Sequence, residues 1–207
     1  KKILVLSGDP NSINSEIIYK SWKNLGMNLK KRICIVSNLS LLKSQFKKLN
    51  YKVKFKSLSS IYDKTESKKL NILNIDLNFK NSFNVEKKNA SKFVIKSLNF
   101  AHNLAVKKKI TGIVNCAINK DLLKKKKIGV TEYLAKKCKL KKDTEVMLIR
   151  NKNLCVSPIT THLNIKDVSK KISQNIIINK VRTINNWFSK KIKKKPVIGI
   201  LGLNPHN

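Results

Sequence analysis

Acidic residues, arginine, aromatic side chains and paired cysteines are all scarce in this chain, and each shortage removes a class of protein. Only 11 of 207 residues are acidic against 46 basic ones, a formal net charge of +35. A charge of that size raises nucleic acid or an anionic membrane as partner. Arginine, however, occurs only as Arg32, Arg150 and Arg182, whereas readers of phosphates and base edges favour its bidentate fork. Aromatic residues make up 6% of the chain, too few to interleave a basic surface with stacking platforms. The lysines run through nearly every polar segment, beside asparagine and isoleucine. That pattern reads as a solvated surface, and neither a nucleic acid nor a membrane is expected as partner.

Cys34, Cys116, Cys138 and Cys155 form no CxxC pair. A chain of this length and spacing is no disulfide scaffold, so reduced core thiols and a cytoplasmic location are expected. No apolar run approaches the ~20 residues that a bilayer span requires. Lys1-Lys2 leads only into a short apolar strand, so no secretory signal is read. The GxGxxG dinucleotide fingerprint is missing as well.

What is present is an alternation of short apolar runs and amphipathic segments. Residues 3–6 read as a strand closed by the turn Gly8-Asp9-Pro10. Residues 13–25 read as a helix with Gly26 as its cap. Further strands are expected at 32–36, near Val53, and at 70–75, 111–116, 145–149, 154–159 and 197–201. Further helices are expected at 41–49, at 90–108 and from Lys120 onward. Phe93, Val94, Leu98, Ala101 and Ala105 form the buried stripe of the second of these. Residues 167–191 carry Val168, Ile172, Ile176, Val181, Ile184 and Phe188 at helical spacing, with Ser173 placed to cap the main part. Such alternation predicts an α/β fold with a largely parallel sheet covered by helices. The basic connector at Lys124–Lys127 marks the expected boundary between two lobes, 1–125 and 126–207.

Two motifs carry chemistry: Thr160-Thr161-His162-Leu163 and Gly202-Leu203-Asn204-Pro205-His206. Each follows an apolar run, and loops at the carboxyl ends of strands are where open α/β folds place ligands. Neutral imidazole is a common ligand of catalytic metals, which makes His162 and His206 candidate ligands. Plainer readings stand beside these. A lone loop histidine is more often a surface residue. His102 reads as structural within its helix. Asp9 suits an Asx turn, Glu16 the positive end of a helix, Thr131 a helix N-cap, and Lys120 one more solvated lysine.

Five stretches, in order, resemble the 4-hydroxythreonine-4-phosphate dehydrogenase family. GDPNSINSE at 8–16 is similar to that family's GDPAGIGPE, and NCAINK at 115–120 to its TAPINK. GVTE at 129–132 is similar to GHTE, and TTHL at 160–163 and GLNPH at 202–206 match directly. The resemblance implies a two-lobed α/β/α sandwich like the metal-dependent isocitrate and isopropylmalate dehydrogenases, with the second lobe incomplete. It implies NAD- and metal-dependent oxidation of 4-phosphooxy-L-threonine, a small phosphorylated amino acid. The resulting β-keto acid loses carbon dioxide to give 3-amino-2-oxopropyl phosphate, in pyridoxal phosphate biosynthesis. It also implies a homodimer with the active site at the interface.

On the same resemblance His162 and His206 match two of three ligands to a divalent metal, which could be zinc, cobalt, manganese or magnesium. Thr131 matches a substrate-binding position, and Lys120 is placed to add a cation for phosphate. No catalytic residue is assigned. The third ligand and most of the NAD site are expected beyond Asn207, so the chain is read as a C-terminally truncated member, inactive alone. The departures are Val130 in place of a substrate-contacting histidine, Ser12 and Asn14 in place of glycines, and Ser15 and Ala117 in place of prolines. Val130 keeps open an alternative: a related metal-dependent dehydrogenase or decarboxylase acting on another hydroxy acid. An inactive fragment of the family is the other alternative.

Overall fold

A computed structural model describes residues 1–123, 129–139, 144–161 and 163–204. They divide into two compact units, Lys1–Val130 and Thr131–Asn207.

The first unit is built on five parallel strands. In chain order its elements are β1 (Ile3–Leu6), α1 (Asn14–Asn24), α2 (Met27–Lys30), β2 (Ile33–Ser37) and α3 (Leu39–Lys48). They continue as β3 (Lys54–Leu58), β4 (Lys69–Asn74), α4 (Lys87–Val106) and β5 (Gly112–Asn115), followed by a single 3-10 turn at Lys120–Leu123. The sheet runs β3-β4-β2-β1-β5. β1 is paired in parallel with β2 (Leu4 opposite Cys34) and with β5 (Leu4 opposite Ile113).

Successive strand residues point to opposite faces, and both faces are covered. On one, Ile35, Leu70 and Ile72 pack with Ile18 and Trp22 of α1 and Leu42 and Phe46 of α3. On the other, α4 lies against β1, β2 and β5, burying Phe93, Val94, Leu98 and Ala101. Two-sided cover is why the strands read as continuous apolar runs. The helix expected from Lys120 is only the 3-10 turn as far as the described residues go.

The second unit departs further from expectation. Its elements are α5 (Val130–Lys137), which straddles the division, β6 (Ile149–Arg150), β7 (Cys155–Val156), α6 (Ile165–Lys171) and α7 (Gln174–Trp187). The strands expected at 145–149 and 154–159 shrink to a two-residue antiparallel pair, Ile149 opposite Val156. The strand expected at 197–201 does not form, and Val197 and Leu201 are 103% and 93% exposed. A parallel strand exists only where a neighbour supplies a ladder, and none of the described residues does so here.

The helix expected over 167–191 is broken. Ile172 and Ser173 are extended, and the Ser173 hydroxyl accepts from the Ile176 amide at 3.4 Å. A serine that caps must leave helical geometry, so the cap itself splits the segment. None of the four cysteines is in a disulfide, as expected, but Cys138 is exposed and only Cys34 is fully buried. Among the described residues no helix is long and apolar enough to cross a membrane.

Candidate functional site

From β1 the chain turns one way to β2, whereas β5 returns on β1's other edge. That reversal is a topological switch point, the place where open α/β sheets bind ligands. The loops after β1 and after β5 form its walls.

Gly8 opens the first loop with φ +70°. A Cβ there would stand 2.4 Å from the Ala117 carbonyl oxygen, so glycine is required on both conformational and steric grounds. The Asp9 amide donates to that same oxygen at 3.0 Å. The Asp9 carboxylate accepts from the Asn11 amide at 2.9 Å, which is the Asx turn expected there. Side-chain amides hold the rest. Asn11 exchanges hydrogen bonds with both backbone groups of Val85, at 2.7 and 2.8 Å. Gln45, buried on α3, donates to the carbonyls of Pro10 (2.9 Å) and Ser82 (2.7 Å). Asn14, buried in the first turn of α1, donates to Ala117 at 2.7 Å and accepts from its amide at 3.2 Å.

Across the crevice the 3-10 turn presents Lys120 to solvent. Leu122 and Leu123 anchor the turn in the core. The Ser91 hydroxyl donates to the Leu122 carbonyl at 2.7 Å, and the Asn119 side chain accepts from the Asp121 amide at 3.0 Å. Lys120 is therefore a cation on a fixed turn, suited to meeting an anionic group. Burial pushes the Cys116 thiol up, and pushes Cys34 up to about 11, with Lys2 acting in the opposite sense. Glu16 pairs with Lys20 one turn on, leaving Asp9 as the acidic side chain of the first loop.

In the second unit, Thr131 stands exposed in the first turn of α5. It lines a cavity of about 600 Å³ with Leu134 and Ala135 of α5, Glu145, Leu148 and Arg150, and Ile184 and Trp187 of α7. The walls are mainly apolar, with Thr131, Thr144, Glu145, Arg150 and Thr183 as polar points. Lys180 is buried and donates to the Glu145 carbonyl at 2.8 Å, and the Thr183 hydroxyl donates to the Thr144 carbonyl at 3.2 Å. These bonds fix the 144–145 segment against α7.

Lys120 and Thr131 thus each occupy a defined place in their own unit. His162 and His206 lie outside the described residues. Among the described residues no three His, Cys, Asp or Glu side chains gather as a metal site would need. The amide network of Asn11, Asn14 and Gln45 was not foreseen. Its one sequence signal is Gln45, a polar residue inside the apolar stripe of Leu41, Leu42 and Phe46.

Comparison with known proteins adds three findings. The family described as pyridoxal phosphate biosynthetic protein PdxA matches residues 29–207. The 4-hydroxythreonine-4-phosphate dehydrogenase of Sulfurihydrogenibium sp. (strain YO3AOP1) is 33% identical over 99% of this chain, and that of Aquifex aeolicus (strain VF5) 33% identical over 100%. The chain spans 63% of the length of each of these relatives. In fold, the crystal structure of a 4-hydroxythreonine-4-phosphate dehydrogenase from Burkholderia phymatum superposes with a TM-score of 0.80. It is 24% identical and covers 99% of this chain and 63% of its own.

Proposed function

The chain belongs to the family of the pyridoxal phosphate biosynthetic protein PdxA, and on that premise we propose that it is part of a 4-hydroxythreonine-4-phosphate dehydrogenase. The reaction is NAD-dependent oxidation of 4-phosphooxy-L-threonine, followed by loss of carbon dioxide, in a cytoplasmic homodimer. One observation carries this reading: the family match runs through all four of the later motifs, from NCAINK to GLNPH, on a chain whose curated relatives bear that name.

In this reading Lys120 supplies positive charge to the substrate phosphate, and the Thr131 hydroxyl donates to a substrate oxygen. Lys120 stands on a turn fixed from behind by buried Leu122 and Leu123, so its orientation costs the substrate little. His162 and His206 would hold the divalent cation. Two neutral imidazoles are a donor set suited to zinc, cobalt or manganese, and open positions would remain for oxygen ligands. When bound, the cation would stabilise negative charge on the substrate's oxidised carbon–oxygen centre, and NAD would accept the hydride.

A second reading, a related dehydrogenase acting on another hydroxy acid, draws on Val130, which cannot donate the hydrogen bond of the family's histidine. One assay separates the two. The protein extended to the length of its relatives, given 4-phosphooxy-L-threonine, NAD and a divalent metal, is expected to produce NADH absorbance. H162A or H206A should abolish it. Absence of NADH with metal present overturns the first reading, and turnover of a different hydroxy acid establishes the second. The 207 residues alone are expected to turn nothing over.

A further inference from the structure

Asn14 and Ala117 are far apart in sequence, yet they make the tightest side-chain link across the switch point. The Asn14 carboxamide lies against the Ala117 peptide group and takes both of its hydrogen-bonding atoms. Its nitrogen donates to the Ala117 oxygen at 2.7 Å, and its oxygen accepts from the Ala117 amide at 3.2 Å. The same nitrogen reaches the Asp9 carbonyl at 3.3 Å. The side chain therefore does what an extra residue of parallel strand would do, extending the pairing of β1 and β5 past their ends. It is 2% exposed, so a lost bond would leave a buried amide poorly solvated. The orientation of the carboxamide is fixed by its partners, since turning it over would face a donor to the Ala117 amide and an acceptor to two carbonyls.

We infer that Asn14 is the positioning residue of the switch point: its carboxamide fixes the Cys116–Lys120 loop against the β1 loop and so sets where Lys120 stands. The two departures noted from the sequence then become one. A proline at 117 would have no amide to satisfy and would stiffen the loop by itself, so a glycine at 14 would suffice. Alanine at 117 brings an amide donor and a freer backbone, and Asn14 answers both. The claim about the loop stands on the first unit alone. Its consequence for substrate rests on the role proposed for Lys120.

The test is amide hydrogen exchange on the 207-residue chain, read at Asp9. That amide donates to the Ala117 oxygen, the acceptor that Asn14 also holds, so its exchange reports whether the Ala117 peptide stays against the β1 loop. N14A and N14G are expected to speed exchange at Asp9 by about tenfold or more, the loss of more than one net hydrogen bond. Amides within β1 and β2 should hold their rates. N14D keeps the shape but not the donor, and should loosen the loop likewise. The double variant N14G/A117P should return Asp9 most of the way to its original rate, a non-additive result. Asp9 exchange within about twofold of the parent in N14A overturns the inference, as does N14G/A117P exchanging as fast as N14G. If N14A and N14G fail to fold, a folded double variant with a protected Asp9 still supports the coupling, and an unprotected one defeats it. K120Q should leave Asp9 unchanged and alter only substrate affinity, so the role of Lys120 can fail without touching this claim.

Discussion

The two units draw on the same lysine-rich composition and the same apolar periodicity, yet they bury very different amounts of it. Every fully buried apolar side chain among the described residues lies between Leu4 and Leu123. In the second unit the buried residue is Lys180, while Ile165, Val197 and Leu201 are at least 93% exposed. The α7 stripe of Ile176, Val181 and Ile184 is only half-buried. Periodicity marks a face that favours cover; whether cover exists depends on neighbours that the segment itself does not encode. The first unit supplies them within one sheet, because α1 and α3 close one face and α4 the other. Among its described residues the second has only a pair of two-residue strands and no sheet wide enough to carry its helices.

The largest expected effect tests that contrast directly. Phe46 is 1% exposed inside the core cluster, so F46A should cost about 3–5 kcal/mol. V197A, at a fully exposed apolar position, should change stability by no more than about 0.5 kcal/mol. Urea unfolding followed by circular dichroism measures both. A V197A penalty close to that of F46A would break the comparison, because it would mean that the 197–201 run is packed in solution.

Legibility divides along the same line. β1, β2, β4 and α4 fall close to where the sequence puts them, because each is a run whose buried face finds a partner within the unit. The stripe Phe93, Val94, Leu98 and Ala101 is buried as expected, and Ala105, near the end of α4, is half-buried. The misses come from tertiary context: the 154–159 run finds a ladder only at Cys155–Val156 and the 197–201 run finds none among the described residues, and Ser173 ends one helix by beginning another. At the candidate site, single residues such as Gly8, Asp9 and Lys120 could be picked out from motif and charge. The amide network could not, since Asn11, Asn14 and Gln45 act through backbone groups 35 to 103 residues away.

Capping gives a finer comparison, since both units use it. Asn38 starts α3, with its oxygen accepting from Leu41 at 2.9 Å and its nitrogen donating to the Ile75 carbonyl at 3.0 Å. Ser173 starts α7 with one longer bond from an exposed side chain. N38A should cost about 1–2 kcal/mol, at the high end for a cap because a second carbonyl also loses its donor. S173A should cost about 0.5 kcal/mol and act on α7 alone. Equal penalties, read as unfolding midpoints with exchange at Leu41 and Ile176, would show that burial does not sharpen the cap.

The smallest effect concerns charge. Glu66 lies between two lysines, with Lys56 Nζ at 2.8 Å from one carboxylate oxygen and Lys69 Nζ at 2.9 Å from the other. Hydrogen bonds from Lys56 first and Lys69 second lower its pKa from 4.5 to about 2. A carboxyl whose folded pKa lies below its unfolded one stabilises the fold fully above the unfolded value, and that contribution is lost as pH falls through the folded one. The midpoint difference between the parent chain and E66Q should therefore be constant above about pH 5, shrink from pH 4.5 downward and vanish near pH 2. All three groups are partly exposed, so the difference should be small and should shrink further in high salt. Among the described residues the ion pairs all lie in the first unit, so α7 amides should exchange alike in both proteins across the titration. A response of α7 that follows the charge on Glu66 would mean that the two units unfold together, which their unequal burial argues against.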